Sequence, residues 1–144
     1  MQDERAAAWR EEQRQAVAVR AAALEADRAA EARKADALLD GFVRRAAEAG
    51  LRPHVLSARS LDGRSTYKTH VRGWYLKSDR SVAVGEDGEY FVLTVAPSLR
   101  ARFAGADLSP STARLIVGAG GGDGETIPLE TLLERRLTAG DHWP

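Results

Sequence analysis

The spacing of apolar residues along the chain changes character once, near residue 50. Before it, Ala35, Leu38, Leu39, Phe42, Ala46 and Ala49 recur every three or four positions. That is the stripe of an α-helix packing one face on a core. Asp40 with Arg44, and Arg44 with Glu48, lie four apart on the opposite side, as a solvated face prefers. Residues 3–49 hold 17 Ala, no Pro, and no Gly before Gly41, so the helix is predicted to run back almost to the start. Gly50 and Pro53 are its stop signals. An unbroken helix of this length spans about 70 Å, longer than the rest of the domain, so part of it must project, fold back or pair with another chain.

After residue 50 the period falls to two. In TYKTHV, Tyr67, Thr69 and Val71 share one face and Lys68, His70 and Arg72 the other, as in a half-buried strand. Gly73 breaks the alternation before Trp74 and Tyr75 and predicts a bulge. KSDRS reads as a turn, and SVAVGEDGEYFVLTV as a hairpin turning at Asp87-Gly88. Its second strand, with Phe91, Leu93 and Val95 on one face and Tyr90, Val92 and Thr94 on the other, is apolar enough to sit centrally. These pieces make a three-stranded antiparallel meander, which RLIV (114–117) is expected to extend. Ser98 can start a short helix that Gly105 ends, and ETI offers a last short strand. Pro128 opens a helix carrying Leu129, Leu132, Leu133 and Leu137, ended by Gly140, with DHWP as a loose tail. The expected fold class is α+β, an antiparallel meander packed by helices. Residues 35–144 form one domain, and residues 1–34 form an Ala-rich helix that projects or self-associates.

Composition narrows the function classes. Lys plus Arg and Asp plus Glu are both 21, so no global field steers the protein to polyanions. Charge is uneven locally: residues 52–80 carry seven basic side chains against Asp62 and Asp79, and residues 81–144 five basic against nine acidic. The chain has no Cys, which removes thiolate chemistry and suits a reducing compartment. The beginning, charged at Asp3, Glu4 and Arg5, resembles no secretory signal, and the longest apolar run, YFVLTVAP, is too short to span a bilayer. The expectation is a cytoplasmic protein without membrane contact.

Candidate chemistry is sparse. The loop VGAGGGDGETIP lacks the Lys-Ser or Lys-Thr of a P-loop and a following helix, and as a calcium-binding repeat it is a single copy with Thr126 where a carboxylate is needed. His54, His70 and His142 are too scattered for a helical metal pair, so neither metal nor cofactor is expected. Asp62, Asp79, Glu86 and Asp87 sit in or beside turns, where carboxylates serve solvation and capping, and no catalytic set is recognised. The basic strand is more informative. Lys68, His70 and Arg72, standing about 7 Å apart, with Arg64, Lys77 and Arg80 nearby, can follow a polyanion. Tyr67, Trp74 or Tyr75 would then supply a stacking surface, unless the sheet simply buries them.

GWYLKSDRSVAVGEDGEYFVLTV and VGAGGGDGETIPLETLLERRL resemble small uncharacterised proteins of GC-rich bacterial genomes, in which a variable Ala/Arg-rich helical start precedes such a domain. The resemblance covers residues 36–138 and implies a bacterial cytoplasmic protein, without bringing an activity, cofactor or site. The reading that follows is a non-enzymatic interaction module. Its contact is the N-terminal helix, with Trp9, Val17 and Leu24 touching a protein partner or a second copy in a homodimer. The alternative is an anion or nucleic-acid binder using the basic strand.

Overall fold

The computed structural model describes residues 1–118 and 126–143. The Gly-rich loop, apart from Gly118, lies outside the described residues, as does the beginning of ETI. The N-terminal helix, α1, runs unbroken from Gln2 to Glu48. Its end is a Schellman arrangement: Gly50, at φ 73°, sends its N–H to Ala47 O, and Leu51 sends its own to Ala46 O. Ala35, Leu39, Phe42 and Ala46 are the buried stripe, while Ala49 stays exposed.

Five strands follow: β1 (His54–Ser60), β2 (Thr66–Tyr75), β3 (Val82–Gly85), β4 (Tyr90–Val92) and β5 (Thr94–Val95). They form one sheet in the order β4-β3-β2-β1-β5, antiparallel except where β5 runs parallel to β1. The two edge strands are separated in the chain only by Leu93. Leu93 N donates to Ser81 O beside β3, and Leu93 O accepts from Arg59 N of β1. The sheet therefore curls until one segment bridges both of its edges.

Four expectations are corrected here. The meander gains β1, whose sequence HVLSARS carries only a weak alternation. The segment from Tyr90 to Val95 has partners on both sides, as a central strand would, but splits into two short strands at opposite edges. Ile116–Val117, β6, does not extend the meander; it pairs with β7 (Ile127–Pro128) in a separate ribbon. The bulge expected at Gly73 lies earlier, opposite Leu56, where two steps of β1 face four of β2. There Thr69 Oγ1 donates to Leu56 O at 2.8 Å and accepts from Val71 N, satisfying the interrupted ladder.

Gly73 has a different task. It faces Gly85 across β2 and β3, and a Cβ on it would sit 2.0 Å from Val84 O. The Asp87-Gly88 turn is present, with Gly88 at φ 85°.

Packing occupies both faces of the sheet. Trp74, Val82, Val84 and Tyr90 meet α1 and the last helix, α3 (Leu129–Ala139), while Tyr75, Ala83, Phe91, Leu56 and Leu93 fill the inside of the curl. Arg45 and Glu134 join α1 to α3 through a two-pronged ion pair, which holds the Glu134 carboxyl below its ordinary range. Asp141, His142 and Trp143 are not the loose tail expected, and Pro144 lies outside the described residues. Arg136, buried, donates to Tyr75 O and Gly140 O and lies 4.7 Å over the Trp143 ring, and Asp141 accepts from Arg52 N. No helix among the described residues is long and apolar enough to cross a membrane.

Candidate interaction surfaces

Two surfaces stand out, one on each half of the chain. The first is the free length of α1. Residues 2–28 extend about 40 Å beyond the docked half. They are exposed except for Ala16, which is half-buried. Trp9 is 61% exposed, Val17 61% and Leu24 51%. At 3.6 residues per turn, Val17 and Leu24 fall within about 30° of the mean direction of Ala35, Leu39, Phe42 and Ala46, and Trp9 lies about 90° to one side. The face that docks on the domain thus continues uncovered along the arm. Where the arm leaves the domain, Leu24, Arg28, Ala29, Ala32, Ala113 and Arg114 help to line an open groove of about 710 Å³.

The second surface lies between β2 and α2 (Leu99–Ala104), and the partial pairing of β2 creates it. Because β3 pairs only with Gly73–Tyr75, the preceding half of β2 has an open edge. The chain after α2 covers that edge: Ala106 N donates to Lys68 O at 2.7 Å, and Thr69 bridges Ala106 in parallel. Ser98 caps α2 by accepting from Ala101 N, and its own N–H donates to the Tyr67 hydroxyl at 3.1 Å. Tyr67, packed with Ala101 and Ala106, is the post on which α2 rests. The result is a cleft of about 700 Å³ opening among Arg64, Lys68, His70, Arg102 and Phe103.

The six basic candidates separate. Arg64, Lys68 and His70 come together in this cleft. Arg72 is exposed on the same face but stands 3.7 Å from Glu86, whose charge offsets its own. Arg80, with a positive φ of 58°, holds its guanidinium 5.1 Å above the Tyr75 ring, away from the cleft lining. Lys77 is buried, which removes it from any exposed anion surface. The three rings take the other course that the alternation left open. Tyr67, Trp74 and Tyr75 are all buried, because alternation sends each into a packed layer. Trp74 meets Phe42 edge-on at 5.9 Å and donates its indole N–H to Leu51 O.

The exposed ring at the cleft is Phe103, and the added cation is Arg102. Sequence reasoning passed over both as parts of a short helix. The signal was present in LRARF, where Leu99 and Phe103 lie four apart with no buried partner face, an apolar pair that α2 leaves exposed. Asp62, two residues before Arg64, is engaged at its turn. It accepts from the Ser60 hydroxyl and from Arg64 N, and these bonds, the hydroxyl's first, hold it below its ordinary range. Among the described residues, no group of His, Asp and Glu side chains is arranged to hold a metal ion. No family model, no curated protein and no solved structure matches this chain.

Proposed function

We propose that the protein is a non-enzymatic self-association module, a small domain that carries a helical arm to pair with a second copy. The observation that carries this reading is the uncovered continuation of the docking face through Leu24 and Val17, flanked by Trp9. An isolated helix gains little in water from propensity alone, and lasting order comes from packing. The arm's own support is thin: among the described residues, one ion pair, Arg14 with Glu11 at 3.0 Å, lies within it.

Charge favours an antiparallel pair. With Ala16 level with Ala16 of the second copy, Arg10 comes level with Ala22 of the second copy and Arg28 with its Glu4, and no like charges of the arm come level. Trp9 then sits level with Ala23 of the second copy, beside its Leu24. A parallel pair in register would set Arg10 and Arg28, which lie within about 10° of the docking direction, each against its own copy, which is unfavourable.

Light scattering on the full chain tests this. The expected result is a dimer at micromolar concentration. Val17→Asp, which sets a carboxylate on the pairing face, should weaken it about tenfold or more. Trp9→Ala with Leu24→Ala should give a monomer. A monomeric parent at all accessible concentrations, or a Val17→Asp variant that pairs as tightly as the parent, would refute the module.

A further inference from the structure

The β2–α2 cleft is separate from the arm and needs its own explanation. We propose that it binds single-stranded nucleic acid, with Arg64, Lys68 and Arg102 holding phosphates and the Phe103 ring stacking on an unpaired base.

Three observations carry the proposal. The first is charge of one sign. Arg64, Lys68, His70 and Arg102 line the cleft with no carboxylate among its lining residues, and no ion pair among the described residues takes up Arg64, Lys68 or Arg102. In a chain of zero net charge the concentration is local, a basic turn and strand to which the fold adds Arg102.

The second is the ring. Phe103 is 87% exposed on the rim of that charged cleft, on a helix held in place by Ser98, Tyr67 and the Ala106 hydrogen bond to Lys68 O. A ring standing proud of a basic groove meets the face of an unstacked base, which a duplex keeps covered, and this pairing of cations with aromatic faces is how single strands are bound without sequence preference.

The third is space kept open by glycine. Gly105, at φ 85°, passes so close to His70 that a Cβ would lie 3.1 Å from His70 Nε2 and 3.0 Å from Lys68 O. The chain turns out of α2 there without displacing either neighbour. The cleft, about 700 Å³ and open to solvent, draws its cations from the turn before β2, from β2 itself and from α2. That distribution suits a strand lying across it better than one enclosed small anion.

The experiment is fluorescence anisotropy of a labelled oligothymidine with the full chain at low salt. Saturable binding is expected. With three phosphates engaged, a fourfold rise in salt should weaken it about 15- to 20-fold. Phe103→Ala should lower affinity about 5- to 100-fold, and Lys68→Glu with Arg102→Glu should abolish binding. Arg44→Glu, the same charge change on an exposed residue of α1 outside the cleft, should lose far less than the double variant. Thermal melts confirm that each variant is folded. Heparin, a polyanion without bases, and duplex DNA are the comparison probes. Absence of binding at low salt overturns the proposal. So does binding of heparin or duplex as tight as that of the oligothymidine together with indifference to Phe103→Ala, which would mark the cleft as a reader of charge alone.

Discussion

Phe42→Ala tests whether the docked half of α1 is part of the core. Phe42 is 2% exposed and meets Trp74 edge-to-face at an interplanar angle of 84°, amid Leu39, Ala46 and the Leu residues of α3. Removing its ring forfeits the transfer of a large apolar side chain and leaves a cavity whose walls, two helices and a sheet, are tied by other contacts and collapse only in part. Comparable truncations cost about 3–5 kcal/mol. A domain of this size is typically stable by about 5–15 kcal/mol, so the variant should still fold. Its melting midpoint should drop by about 10–20 °C. Thermal unfolding followed by circular dichroism reads this, with urea titration as a second measure. Leu99→Ala serves as the control, since Leu99 is 75% exposed and its truncation should stay within about 0.5 kcal/mol. If Phe42→Ala melted within about 3 °C of the parent, the helix would not be held by this face and the account of the core would fail.

Two further outcomes follow from particular contacts. Gly73→Ala places a methyl 2.0 Å from Val84 O, and because the obstacle is backbone, β2 and β3 must separate. A loss of about 3 kcal/mol or more is expected in urea titration, and a neutral result would contradict the close approach of these strands. The ion pair between Arg45 and Glu134 predicts an acid-side signature. Since its folded value is depressed, the Glu134 carboxylate contributes stability that is fully present above the ordinary glutamate value and is lost as the pH falls through the lowered one. Melting curves of the parent and Glu134→Gln should differ at neutral pH and converge in acid. An offset that does not change with pH would show that the substitution acts through something other than the charge.

Short-range physics made several features of this chain legible in advance. The helix from the start to residue 48, the Gly50 stop, the buried Leu39-Phe42-Ala46 stripe, the alternation of Lys68, His70 and Arg72 against Tyr67 and Thr69, the Asp87-Gly88 turn and the leucine face of α3 all follow from periods of 3.6 and 2 and from backbone preferences. Each depends on neighbours a few positions away, so a single sequence carries it. What the sequence left open depends on residues that meet only after folding. The strand HVLSARS has too little alternation to declare itself, and it exists because β2 and β5 supply its hydrogen bonds from both sides. The split of the segment from Tyr90 to Val95 between opposite sheet edges is a consequence of closure, which strand periodicity does not encode.

The sites divide in the same way. The sequence placed Arg64, Lys68 and His70 near one another because they share a strand and its preceding turn. It had no means to bring up Arg102 and Phe103 from some thirty residues away, to bury Lys77, or to tie Arg72 to Glu86. Aromatic residues in a strand read alike whether they face solvent or core. Only the layers on either side, α1 and α3 on one and the closed curl on the other, decided that Trp74 and Tyr75 are packing and that the exposed ring belongs to α2. Local propensity sets which elements form, and tertiary closure sets which side chains are left facing water.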